Sequence, residues 1–222
     1  MENRNILTKT LYSCQNPLLK DYFDQSKHPW ELLPLLPEMM SAFLKNPPNG
    51  YREIADGIFV GEGVTIDKSA TIVSPCVIGD HTEIRPGAYL RGNVFVGSNC
   101  IIGNSTELKN AILLDYVEVP HFNYVGDSIL GNHSHLGAGA VCSNFKGDGK
   151  DIVIHADKDY ETHLMKVGAF IGDHGNVGCN AVLNPGTIIG KNTFVYPLVV
   201  CRGVYPDDVI VKSSVNIVKR HQ

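Results

Sequence analysis

The sequence predicts an all-β solenoid, and three observations carry that prediction. A fixed step of six residues meets an aliphatic ten times running: Val60, Ile66, Ile72, Ile78, Ile84, Leu90, Val96, Ile102, Leu108 and Leu114. Ile, Leu and Val supply only 58 of the 222 residues, so such a run is not chance. Two places before these stands a second residue, often small or branched, as at Ala70, Cys76, Thr82, Ala88, Val94, Cys100 and Thr106. Gly, Asp or Arg often follows the aliphatic, as in IGDHTE, VGSNC and IGNST. Six is neither the helical period nor the plain alternation of a strand. It fits a short strand and a corner, three of which close a triangular coil of about 18 residues. Coils stack at the inter-strand spacing of ~4.8 Å. The aliphatic fills the prism, the smaller residue fits the corner, and Gly supplies the backbone angles of the turns.

The elements follow in order. Residues 1–50 carry no hexads and are expected to form a helical N-terminal cap on one end of the prism, whose last coil exposes unpaired backbone. Within SKHPWELLPLLPEMMSAFLKN, Ser26 or His28 leads into a first turn containing Pro29, and Pro37 opens a second helix. Trp30, Leu33, Leu36, Met40 and Phe43 form the apolar face. Residues 51–222 form the solenoid, with about five coils over 55–145 and about two over 167–205, where the step returns at Ile171, Val177, Leu183, Ile189, Val195 and Cys201.

Composition narrows the function classes. A net charge of −4 argues against a nucleic-acid binder. No apolar run approaches the ~18 residues of a membrane span, and the N-terminus has no apolar signal region. Six cysteines without a CxxC pair read as reduced thiols, so the expected compartment is the cytoplasm.

The rhythm breaks twice. After Leu114 the inward candidates are Val119, Val125, Leu130, Leu136 and Cys142, at uneven steps of five and six. Departures from a strong local rule mark functional or strained sites. An extended, charged loop then spans 143–166, too long for a connection within a coil. His121 lies in the first break. Glu107 and Lys109 flank inward Leu108 and therefore point outward. Val125 follows Leu108 by one coil, so Tyr124 is expected beside Glu107. A carboxylate, a lysine, a tyrosine and a histidine thus gather on one surface.

The runs IRPGAYL, NSTELKN, PHFNYVGDSILG and HLGAGAVCSNF resemble the acetyltransferase half of the bifunctional bacterial and archaeal enzymes that make UDP-N-acetylglucosamine. The likeness covers about residues 55–205, and PHFNYVGDS followed by GAGAVCSN is its most specific part. It implies a left-handed parallel β-helix, a homotrimer with sites between subunits, and acetyl-CoA as co-substrate, with no tightly bound metal in the chemistry. The acceptor it implies is an amino sugar phosphate, glucosamine-1-phosphate first. His121 then matches the catalytic base and Glu107 a supporting carboxylate. Lys109 and Tyr124 match residues that hold the sugar phosphate. Arg85 matches the phosphate-binding arginine, with Arg91 as its rival because one extra hexad separates Arg85 from Lys109. His135 stands where bacterial members carry a sugar-binding Asn, and Lys166 matches the lysine after the loop. Asn144, Ala138, Cys179 and Pro197 match the acetyl-CoA site, and Arg202 is a further cation for the same ligand. The backbone N–H groups of the GAG turn are candidate oxyanion donors.

These residues carry no G-x-G-T-R-M phosphate loop, so the likeness implies acetyl transfer alone. Phe145 replaces the usual Tyr, and the loop is longer than in bacterial members. Three other readings stand beside this one: an acyltransferase on a nucleotide-linked amino sugar, a non-catalytic trimeric scaffold, and a zinc carbonic anhydrase on the same solenoid. The last draws on His81, His121, His133 and His135, but lacks that family's four-residue histidine spacing.

Overall fold

The computed structural model describes residues 6–213 and 216–220. The all-β solenoid is what it contains. Each coil visits three faces in turn, as Ile58–Val60, Thr65–Ile66 and Thr71–Ile72 do in the first coil. We call the sheets that contain these strands face 1, face 2 and face 3. Among the described residues, faces 1 and 2 have nine strands each and face 3 has seven, parallel except at the two ends. Ile78, Ile84, Leu90, Val96 and Ile102 all lie in one buried interior cluster, as the six-step predicts.

The register corrects one position. Ile78 pairs with Val96, 18 residues on, whereas Val96 pairs with Leu113 and Leu113 with Leu130, each 17 on. The inward residue is therefore Leu113, and Leu114 packs outside the prism. The cause is the corner between faces 3 and 1. In the longer coil two residues there have positive φ, Gly92 at 87° and Asn93 at 48°. In the shorter coils one suffices, Asn110 at 49° and Asp127 at 47°. The five inward residues expected beyond this point, Val119 to Cys142, are all buried in the interior.

The N-terminal segment is helical, but it does not cap an end. Thr8–Leu11, Lys20–Gln25, Pro29–Leu32 (a 3-10 turn) and Leu36–Lys45 lie against the flank of face 1. Pro29 and Pro37 open the last two, as expected, and Trp30, Leu33, Leu36, Met40 and Phe43 are all buried. The flank position has a physical reason. Face 1 is apolar on its outer side as well, through Phe59, Val77, Phe95, Ile112, Ile129, Phe170 and Ile188. Each such side chain gains ~1.5–3 kcal/mol on leaving water, so this face must be covered. Its strands read as unbroken apolar triplets (IFV, CVI, VFV, AIL), the pattern of a sheet buried on both sides. The prism ends are closed differently. Arg52–Ala55 runs antiparallel to Ile58–Val60 at one end, and Asn216–Lys219 antiparallel to Val209–Ser213 at the other.

The 143–166 insertion folds back onto its own chain. Val153–His155 and Asp159–Glu161 form an antiparallel hairpin. Ile152 and Ile154 are buried with the N-terminal helices against face 1, and Tyr160 meets Trp30 edge-on at 6.0 Å. Among the described residues, no helix is long and apolar enough to cross a membrane.

Ile84 has no polar partner within the prism, so Ile84→Asp buries an unpaired charge. The expected loss is about 3 kcal/mol or more in urea or thermal unfolding. A variant as stable as the parent would refute the inward assignment.

Candidate functional site

Parallel stacking turns residues 17 or 18 apart into columns. The corner between faces 2 and 3 carries the most informative one. Val119 pairs with Ile102, and His121 with Asn104, one coil below. Glu118 pairs with His135, which sets His121 level with Ala138. Leu136 pairs with Val177 and Val177 with Val195, which sets Ala138 level with Cys179 and Pro197. The backbone confirms the order: His121 O accepts from Gly139 N at 3.0 Å, Ala138 O from Asn180 N at 2.9 Å, and Cys179 O from Leu198 N at 3.0 Å. Four of the residues singled out in the sequence, 76 positions apart at the extremes (His121 to Pro197), thus share one edge at ~4.8 Å per step.

His121 ends the strand Glu118–His121 with its side chain exposed, and its ring makes no hydrogen bond among the described residues. The backbone beneath it is fixed instead. Buried Asn123 accepts from His121 N at 3.2 Å and donates to Gly137 O at 2.8 Å and Ala140 O at 3.2 Å. Of the GAG turn, Gly137 N and Gly139 N are spent on Val177 O and His121 O. The Ala138 N–H makes no hydrogen bond among the described residues, so it is the turn's one open donor.

Around the corner, on face 3, Glu107 pairs in register with Tyr124, as expected, and Lys109 with Gly126. The side chains form two adjacent bonded groups, brought together by the register of Glu107 with Tyr124. Arg91 Nη1 donates to Glu107 Oε1 at 2.7 Å. Lys109 Nζ lies 3.2 Å from Asp127 Oδ2, and Asn110 Nδ2 donates to Asp127 Oδ1 at 2.9 Å. Asn144 Nδ2 donates both to Asp127 and, at 3.1 Å, to the Tyr124 hydroxyl. Burial first, and then Asp127, push the Tyr124 phenol above its usual range, so it stays protonated at neutral pH.

Asp127 is the residue that the sequence reading missed. It is 4% exposed and joins three of the face's polar side chains. A signal was present: Asn93, Asn110 and Asp127 recur at intervals of 17, the residue types that best tolerate positive φ, at the corner that requires it.

The two candidate arginines separate. Arg91 pairs with Glu107, whose register neighbour is Tyr124, whereas Arg85 pairs with Glu83 at 3.1 Å. Lys166 is brought in from the far end of the insertion by its bridge with Phe145, and it lines a small hollow with Asn110 and Asp127. His135 lies on face 2, with Nδ1 3.3 Å from Asn176 Oδ1, apart from the face 3 network. His133 stacks between Tyr116 and His174, at 4.5 and 4.9 Å. Among the described residues, no three His, Cys, Asp or Glu side chains converge as metal ligands.

Comparison with known proteins places this geometry in context. The family model described as the GMPPB C-terminal domain matches residues 72–165. The chain resembles the bifunctional protein GlmU of Methanococcus vannielii, 28% identical over 207 residues, covering 91% of this chain and 50% of that protein. It also resembles the bifunctional sugar-1-phosphate nucleotidylyltransferase/acetyltransferase of Sulfurisphaera tokodaii, 32% identical over 113 residues, covering 50% of this chain and 28% of that protein. The resemblance read from the motifs therefore holds, and the chain spans half the length or less of these relatives. Among solved structures, a point variant of perosamine N-acetyltransferase from Caulobacter crescentus, in complex with CoA and GDP-perosamine, matches with a TM-score of 0.44 and 18% identity. That match covers 72% of this chain and 57% of that one.

The network also makes an energetic prediction. Lys109–Asp127 is the more buried ion pair and Arg91–Glu107 the more exposed. A double-mutant cycle of Lys109→Met with Asp127→Asn is expected to give a coupling of about 1 kcal/mol or more. The Arg91→Met and Glu107→Gln cycle is expected below that. Equal couplings would remove Asp127 from the centre of the network.

Proposed function

We propose that the chain is an acetyl-CoA-dependent N-acetyltransferase acting on an amino sugar phosphate, with glucosamine-1-phosphate as the first candidate. The observation that carries this reading is the single edge holding His121, Ala138, Cys179 and Pro197, which runs beside the Arg91–Glu107 and Lys109–Asp127–Asn144–Tyr124 network. The edge suits an extended acyl donor, and the network suits a polar sugar.

In this reading the sugar ammonium first loses a proton to solvent. The neutral amine attacks the thioester carbonyl as His121 accepts its second proton, the general-base role that histidine most often fills. The Ala138 N–H, left free by the turn, faces the carbonyl oxygen as it gains charge. The C–S bond then breaks, and the departing thiolate takes the proton from the imidazolium. Lys109 and Arg91 hold the sugar phosphate. Their carboxylate partners Glu107 and Asp127 fix the direction of each cation.

A homotrimer completes the proposal. Face 1 is occupied by the chain's own helices, so faces 2 and 3 are left for other subunits. The shared edge of these faces exposes Phe122 and Leu198, at 62% and 76%. Both turn corners of the prism with positive φ, which holds their side chains outward. Across such an interface, His135 on face 2 of one subunit approaches the sugar site on face 3 of the next. Static light scattering that reports a stable monomer would refute the assembly.

A nucleotide-linked amino sugar is the second reading, favoured by His135 in place of the bacterial Asn. A thiol-release assay with acetyl-CoA over a panel of free, phosphorylated and nucleotide-linked amino sugars decides between the two. His121→Ala is expected to lower turnover by ~100-fold or more with an unchanged melting temperature, because the ring is exposed and unbonded. Lys109→Ala is expected to raise KM for the phosphorylated sugar more than it lowers kcat. If no acceptor in the panel releases thiol, the scaffold reading replaces the enzyme. A folded His121→Ala variant of near-parental rate would remove His121 as the base.

A further inference from the structure

Beyond the His121 edge, a cleft of about 450 Å³ opens where the 143–166 insertion overhangs face 3. Its floor is a column of the prism. Cys142, Leu183 and Cys201 pair in register, so the residues that follow them, Ser143, Asn184 and Arg202, stand one above another. Its wall is the insertion, through Lys146 and His155. Neither half forms the cleft alone, which gives the long insertion a task that its packing on face 1 does not explain.

The electrostatics of the cleft differ from those of the sugar network. Arg91 and Lys109 are each matched by a carboxylate. Arg202 has no carboxylate partner among the described residues, and its Nη2 instead meets His155 Nε2 at 3.5 Å. His155 Nδ1 lies 2.7 Å from Asp159 Oδ1. An Nδ1–H donated to Asp159 leaves Nε2 as an acceptor for the guanidinium. The imidazole therefore orients Arg202 without neutralising it. Lys146 adds a second cation, 3.9 Å from Asp148. A guanidinium fork, an ammonium and the neutral donors Ser143 and Asn184 match phosphate oxygens. The exposed ring of Phe145, on the cleft wall, offers a stacking surface for a base.

We propose that this cleft is a subsite for a nucleotide, with its phosphates on Arg202 and Lys146 and its base beside Phe145. The proposal rests on the acyltransferase reading only for its place in the reaction. Ser143 is two coils from Lys109 along one column, about 10 Å, and Arg202 lies two coils beyond. A ligand bound here therefore reaches the acetyl-transfer site. Two substrates carry this chemistry: the acyl donor, through its adenosine bisphosphate end, and a nucleotide-linked acceptor, through its nucleoside diphosphate.

Calorimetric titration of the intact protein with adenosine 3′,5′-bisphosphate, and separately with UDP and GDP, tests the proposal. Parent, Arg202→Gln and Lys146→Gln proteins are compared, with a thermal melt of each. The expected result is that the bisphosphate or a nucleoside diphosphate binds the parent, and that each substitution weakens binding by about tenfold or more at unchanged melting temperature. Bisphosphate binding assigns the subsite to the donor, and diphosphate binding assigns it to the acceptor. If no probe binds the folded parent, or if both folded variants bind as tightly as the parent, the proposal is overturned. The readout is independent of acetyl transfer: a protein that binds a probe but releases no thiol keeps the subsite and loses the proposed activity.

Discussion

Every feature of this molecule depends on the demand that each coil place one aliphatic inside the prism on each face and return to register ~4.8 Å higher. The chain is not free to choose what lies next to what. Once Leu108 and Val125 are both inward, Glu107 and Tyr124 are neighbours whatever else they do. The same constraint lines up His121, Ala138, Cys179 and Pro197. A side chain at a corner inherits its neighbours from the coil length, so a change from 18 to 17 residues shifts every later column. Asn110 and Asp127 make that change, each turning a corner that Gly92 and Asn93 turn with one residue more. Asp127 does so and also places its carboxylate against Lys109, Asn110 and Asn144. The shortening of the coils and the building of the polar network are therefore one event in the chain.

The non-repeating parts solve a problem that the prism creates. A solenoid with an apolar outer face would aggregate through it. Residues 6–45 and the insertion cover that face together, meeting where His28 and Trp30 contact Tyr160. This allocates the surfaces. One face is taken by the chain itself, and the two others, with the edge between them, are the faces that the proposed site and assembly use. The insertion contributes to both sides of this division, with Ile152 and Ile154 buried toward face 1 and Lys146 and His155 turned to the cleft on face 3.

Much of this was legible in the sequence, and what was not has physical causes. The six-step revealed the interior because burial of one residue per face is periodic and local. Tyr124 beside Glu107 was legible because register follows from the interior. The slip at Leu114 was not, because Leu113 and Leu114 are equally apolar and only the corner geometry distinguishes them. The place of the helices was readable but unread: the middle residues of IFV, CVI and VFV require a cover, and an end cap would have left them wet. The motif favoured Arg85, with Arg91 as rival through the extra hexad, and both follow an inward aliphatic. What separates them is which carboxylate each finds, Glu83 beside it in its own coil or Glu107 one coil away.

The proposed anionic ligands require a chain of net charge −4 to concentrate its cations locally. Two kinds of cation are present. Lys109 is tied to a buried carboxylate, so its charge is offset and its direction is fixed, which favours selectivity over strength. Arg202 instead meets an imidazole, which leans on its guanidinium without offsetting its charge. A site of the first kind discriminates among anionic groups by geometry, as placing a sugar phosphate in one orientation requires. A site of the second kind attracts phosphate whatever it is attached to. The two lie along one face, about four coils apart, so in the proposed reading the cleft would supply binding energy far from the reacting atoms while the matched cations beside His121 would set the orientation of the acceptor.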